Sequence, residues 1–246
     1  MDMPHIGHWL GRPISDLPSI TSDILRSHFH IVEHGEDISI LSDFDIHFCF
    51  FYLTPEINNQ LLHSALNICN NLGKHLILLY EGELERSISL NHAIYDKQDI
   101  YKEDFERWVN MVASKIHLSF SSNKEYLERK ASEPLIMKSN ISQDFIETLR
   151  YIENHLSENI REEDIASRCH YSVTYFSKVF HRIIGISFRD YVCNKRINLA
   201  KKILLRDRGT KVSVVAYQCG YQDVSYFSRI FKKKTGMTPG MFRQIH

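Results

Sequence analysis

Long apolar runs are missing from this chain of 246 residues. Nothing approaches the roughly 20 residues that a membrane-spanning helix needs. The longest strings, such as FCFFYL at 48–53, are strand-sized. A basic-then-apolar start is also missing, so neither membrane insertion nor export is expected. Cysteine is scarce: five residues, an odd number, with no CxxC pair. That argues against a disulfide framework or a zinc ribbon and for a reducing cytoplasm. Glycine and proline number only 10 and 6 against 43% hydrophobic residues, which points to a packed, helix-rich chain. Paired carboxylates, a Ser/His/Asp arrangement and a glycine-rich phosphate loop are missing too, so no catalytic residue, enzyme activity or cofactor is expected. His28, His30 and His34 are spaced H-x-H-x₃-H, but no second ligand cluster completes a site, and they read as solvated or satisfied histidines.

Net charge is zero, yet the charges are not mixed. Residues 1–140 hold 12 Lys and Arg against 20 Asp and Glu, a formal −8; residues 141–246 hold 18 against 10, a formal +8. Only the C-terminal part is therefore expected to meet a polyanion.

Hydrophobic periodicity divides the chain at the same place. Short runs rich in β-branched or aromatic residues (FHIV at 29–32, IHFCFFYL at 46–53, HLILLY at 75–80) predict strands. Helical spacing of Leu61, Leu62, Leu66, Ile68 and Leu72 separates the last two, and Phe105, Trp108, Val109, Val112 and Ile116 share another helical face. Strands alternating with helices predict an α/β domain with a parallel sheet over residues 1–120. A polar linker is expected at 121–140. From 141 to 246 only helical signals remain: Ile141, Phe145, Leu149, Ile152 and Leu156 in one register, then a long helix over 187–207 capped by Ser187 with Asp190 three residues on.

The C-terminal part also repeats itself. YFSKVF begins at Tyr175 and YFSRIF at Tyr226. Around them Ala166, Cys169, Tyr171, Phe176, Phe180 and Gly185 match Ala216, Cys219, Tyr221, Phe227, Phe231 and Gly236, with the paired cysteines as core fillers. Each copy reads as a short helix, a turn and a second helix ended by glycine, a unit that can lay its second helix into a major groove of double-stranded DNA. With the phenylalanines inward, Val173, Thr174, Ser177 and Lys178, then Val224, Ser225, Ser228 and Arg229, are the candidate base-reading residues. His181, Arg182, Lys232, Lys233 and Lys234 are the candidate phosphate contacts. The helix between the copies, about 30 Å long at about 1.5 Å per residue, would hold two readers roughly one helical turn of DNA, about 34 Å, apart.

The segment VAYQCGYQDVSYFSRIFKKKTGMTPGMFR (215–243), and with it about Ile141 to Ile245, resembles the DNA-binding domain of the AraC/XylS family of transcription regulators. The resemblance places base reading on Thr174, Ser177 and Lys178, then on Val224, Ser225 and Arg229. It implies a transcription activator with RNA polymerase as a partner. His170 stands where the family's turn often carries glycine, so the first turn is expected to be strained or to dock more weakly. Residues 1–118 depart from the effector-binding β-barrel usual in that family. Their order resembles instead a response-regulator receiver of five strand–helix pairs, with strands near 5–10, 29–33, 46–53, 75–80 and 92–96. The receiver's carboxylates are missing: FFYLTPE and HWLGR stand where they belong, Tyr80 or Glu81 replaces the hydroxyl, and only Lys97 fits. The expectation is a phosphorylation-independent regulatory domain through which the chain forms a homodimer. The alternative is a phosphoacceptor or small-molecule-sensing response regulator fused to the same DNA reader.

Overall fold

The most apolar run in the chain becomes the middle of a sheet. In the computed structural model, which describes residues 5–54, 60–102, 104–118 and 143–245, Phe48–Leu53 forms strand β3, buried along all but its last residue. With β1 (His5–Gly11), β2 (Phe29–Glu33), β4 (His75–Tyr80) and β5 (Ile94–Asp99) it makes a five-stranded sheet in the order β2-β1-β3-β4-β5. Every pairing is parallel. That is a doubly wound order with its switch point between β1 and β3. It explains why β3 and β4 show no polar alternation, since central parallel strands are covered on both faces.

Helices α1 (Ser19–His28) and α4 (Phe105–Ile116) take one face. The predicted stripe of Phe105, Trp108, Val109, Val112 and Ile116 is buried there among Trp9, Phe50, Tyr52 and Leu79. Asp96 of the edge strand anchors α4, accepting from Trp108 Nε1 at 3.0 Å and from Lys115 Nζ at 2.8 Å. Burial alone would push its carboxyl up, but these bonds outweigh that and hold it below the ordinary range. Residues of the opposite parity, Cys49 and Phe51 among them, face the side of α2 (Gln60–Leu72), where Leu62, Leu66, Ile68, Cys69 and Leu72 are buried.

The expected alternation of strand and helix fails at one connection and is shortened at another. Between β2 and β3 the chain makes only a 3-10 turn, Ile38–Ser42, and after β4 only the four-residue α3 (Arg86–Ser89). Local polar chemistry accounts for the first. Asp37 accepts from the Ser39 N–H at 3.1 Å and from its hydroxyl at 2.6 Å, and the Ser42 hydroxyl donates to the Ser39 carbonyl at 2.7 Å. Side chains here take over bonds that a helix would make along its backbone. The three histidines diverge: His28 ends α1 and bonds Asn110 Oδ1 at 2.8 Å, while His34 meets His8 at 3.0 Å. Among the described residues no group of three or more His, Cys, Asp or Glu is arranged to hold a metal. Where a receiver keeps its chemistry, Gly11 ends β1 with Arg12 after it, Tyr52 donates to Glu81, and Lys97 Nζ donates to the Ser89 carbonyl at 2.6 Å.

The chain divides into two compact units, residues 1–141 and 142–246. The expected linker at 121–140 lies outside the described residues. In the second unit the described regular structure is helical: α5 (Gln143–Asn154), α6 (Glu162–Arg168), α7 (Val173–Ile184), α8 (Phe188–Arg206), α9 (Val212–Gln218), α10 (Val224–Thr235) and α11 (Pro239–Ile245). The helical register expected to run to residue 160 stops at Asn154. Arg196 explains the early end, since Nε donates to the Leu156 carbonyl at 3.0 Å and Nη2 to the Glu158 carbonyl at 2.7 Å. Those carbonyls are held from outside instead of by a continuing helix. The long helix α8 starts as expected, with Ser187 Oγ accepting from the Asp190 N–H at 3.1 Å. No helix is long and apolar enough to cross a membrane among the described residues.

Candidate nucleic-acid interface

The repeated residues build the same turn twice. The Tyr171 N–H donates to the Ala166 carbonyl at 2.9 Å, and the Tyr221 N–H to the Ala216 carbonyl at 3.0 Å. A small alanine lets each tyrosine backbone come that close. Cys169 and Cys219 fill equivalent buried positions, and burial pushes the Cys219 thiol up to about 12. Both second helices end on glycine in the left-handed region, Gly185 at φ 76° and Gly236 at φ 79°. Helix α8, 19 residues long, joins the two copies of the motif over about 28 Å at about 1.5 Å per residue. It is strapped to α5 by buried Lys195, whose Nζ lies 2.7 Å from Glu153 Oε1.

The copies differ in how they are held. Gly220 sits at φ 78°, and a Cβ there would lie 2.4 Å from the Leu156 carbonyl oxygen, so only glycine fits. The first copy places His170 in the same backbone region, at φ 56°. This is the strain expected from a histidine in that turn. Asp223 caps α10 by accepting from the Ser225 and Tyr226 N–H groups at 2.8 and 3.0 Å. Ser172 caps α7 through one longer bond, from the Tyr175 N–H at 3.3 Å.

The candidate readers fall on the expected faces except Ser177, Val224 and Ser228, which are half-buried. Phe176, Val179, Phe180 and Ile183 are buried; Val173, Thr174, Lys178, His181 and Arg182 are exposed. In the second copy Phe227 and Phe231 are buried, while Ser225, Arg229 and Lys232 are exposed. Val224, expected outside, is half-buried and packs against the core of its own lobe. Lys233 and Lys234 are exposed and line a cleft of about 1050 Å³ with Arg189, Arg196 and Tyr226.

Three features escape a pattern reading. Ser177 is half-buried and donates to Glu162 Oε1 from the first turn of α6. The Ser228 hydroxyl donates back to the Val224 carbonyl at 2.9 Å. Tyr175 and Tyr226 are exposed aromatics beside the reading faces, and the Arg229 guanidinium lies 5.8 Å from the Tyr226 ring centre. Charge is unequal as well. Residues 161–185 hold four Lys and Arg and three Asp and Glu; residues 211–236 hold five and one.

Two helix-turn-helix lobes on one connecting helix define the class of this unit. Residues 165–245 match the family model described as a helix-turn-helix domain, and the C-terminal unit carries such a domain of the AraC type. The chain is 36% identical over 96 residues to the regulatory protein PocR of Salmonella typhimurium, spanning 39% of this chain and 31% of that protein. It is 35% identical over 95 residues to the bifunctional transcriptional activator/DNA repair enzyme AdaA of Bacillus subtilis, spanning 39% of this chain and 44% of that one. Among solved structures it resembles the C-terminal domain of the two-component response regulator yesN from Fusobacterium nucleatum. There the identity is 31% and the TM-score 0.40, covering 42% of this chain and 99% of that domain. The chain thus spans less than half the length of these two curated relatives.

Proposed function

We propose that the chain is a sequence-specific transcription regulator whose C-terminal unit reads two successive major grooves on one side of B-DNA. One observation carries the reading: two helices with matching exposed faces are held by matching turns at the ends of a single 19-residue helix. That length is close to the spacing of successive major-groove faces, about 34 Å. Thr174, Ser177 and Lys178 read bases from α7, with Val173 beside them for a thymine methyl; Ser225 and Arg229 read from α10, flanked by Ser228 and Val224. Lys178 and Arg229 supply the long donors for guanine. His181, Arg182, Lys232, Lys233 and Lys234 grip phosphates, which gives affinity without sequence information. The names of the relatives favour a regulatory role, and AdaA's favours activation; RNA polymerase as partner and the cytoplasm as the setting are part of the same proposal.

The acidic N-terminal unit controls this reader without phosphorylation and pairs two chains. In support, glycine, arginine and tyrosine stand at the ends of β1 and β3 in place of carboxylates, and Lys97 is engaged with Ser89. A stable +80 Da adduct on the N-terminal unit after incubation with a small phosphodonor would instead favour the phosphoacceptor alternative.

The test is DNA binding by the full chain at two salt concentrations. Affinity should fall steeply with salt, by about 0.9 log units per log unit for each phosphate contact. Arg229→Ala should relax discrimination at one base position, and Lys232→Ala should weaken all sequences alike and lower the salt slope by about 1. Affinity indifferent to salt, or uniform losses for both variants, would sink this assignment.

A further inference from the structure

We propose that Glu162 decides which bases Ser177 can read. The inference rests on the assignment of α7 as a base-reading helix and sharpens it at one position. A serine hydroxyl has one proton and two lone pairs, so by itself it pairs with base donors and base acceptors alike. Ser177 has already placed its proton: its Oγ donates to Glu162 Oε1. Only lone pairs then remain for DNA. In the major groove these can be met by amino groups alone, the N6 of adenine or the N4 of cytosine, and not by the guanine O6 and N7 or the thymine O4. The carboxylate beside the hydroxyl adds negative potential, which further disfavours acceptor edges.

The repeat explains how a carboxylate comes to stand there. Counted from the matched alanines, Glu162 occupies the position that Val212 holds in the second copy, where the valine packs against the lobe's core. A carboxylate cannot be buried that way without a partner. Half-buried at the start of α6, it turns instead to the Ser177 hydroxyl on the neighbouring helix. Glu162 is in this sense a positioning residue, acting on the base through Ser177.

The test is selection of bound sequences from a randomised duplex pool by the full chain, followed by affinities for all four bases at each position. For the unaltered chain one position in the first half-site should favour adenine or cytosine on the contacted strand, and Ser177→Ala should flatten it. Glu162→Val, which gives the first copy the second copy's residue, and Glu162→Ala, which removes the side-chain acceptor altogether, both release the serine proton. Each should raise binding of guanine or thymine at that position about fivefold relative to adenine or cytosine, the scale of one ordinary hydrogen bond. The position that responds to Arg229→Ala should stay unchanged in both Glu162 variants, which shows that they fold and dock. The inference is overturned if both Glu162 variants keep the original preference, or if Ser177→Ala does. In either case a surviving response to Arg229→Ala leaves base reading by the domain standing. No altered position for Arg229→Ala or Ser177→Ala would overturn that broader assignment as well.

Discussion

The two helix-turn-helix lobes are one design executed with different security. The second has glycine in its turn, an aspartate cap with two bonds and a nearly unopposed basic surface. The first has a strained histidine, a serine cap with one long bond and three acids in the first turn of α6. Repetition of sequence has kept the hydrophobic skeleton while the polar parts have drifted apart. The physical reason is that the skeleton must pack at fixed volume, whereas a cap contributes about 0.5–2 kcal/mol and a surface charge about 1 kcal/mol or less, and both tolerate exchange. The comparison implies a tighter, more specific second lobe and a more adjustable first one.

The sharpest way to break that comparison is Gly220→Ala. With positive φ and the Leu156 carbonyl 2.4 Å from the new Cβ, it should destabilise the second lobe by about 3 kcal/mol. A urea midpoint for the full chain unchanged from the parent would show that the close approach can relax. Next in size is Arg229→Ala, expected to lose about 1–3 kcal/mol of discrimination at one base, against a smaller loss for Lys178→Ala, whose point charge lacks a bidentate fork. Four-base affinity panels check the pair, and a larger loss for Lys178→Ala would reverse the ranking of the lobes. Removing the caps should follow the same order: Asp223→Ala costs about 1.5 kcal/mol and Ser172→Ala about 0.5 kcal/mol, read as midpoint shifts. The smallest effect is a gain. His170→Gly releases left-handed strain, partly offset by the freer unfolded chain, for a net of about 0.5 kcal/mol, seen as a higher midpoint for the first lobe. A loss of stability there would mean that His170 makes contacts worth more than its strain.

Much of this molecule is legible as pattern. The strands at 29–33, 48–53 and 75–80 and the stripe of α4 follow from apolar spacing, because burial in a parallel sheet or against one imposes a short-range period. The two turns are legible because they are written twice. What pattern misses is polar and long-range. Nothing in DISILSD announces a 3-10 turn in place of a helix. Lys195 and Arg196 look like surface residues of a basic helix. Yet one is buried beside Glu153 and the other holds the carbonyls of Leu156 and Glu158, 40 and 38 residues away in the chain. Val224 reads as an outer residue and folds inward.

By themselves the residues determined which faces are apolar, that α7 and α10 stop at Gly185 and Gly236, and that one motif occurs twice, since each depends on neighbours within a few positions. Only the tertiary structure decided how the strands order themselves and that Gly220 must lack a side chain. It also decided that Glu162 holds the hydroxyl of Ser177. Those outcomes depend on atoms brought together from distant positions, and a hydrogen bond formed across that distance leaves no period in the sequence.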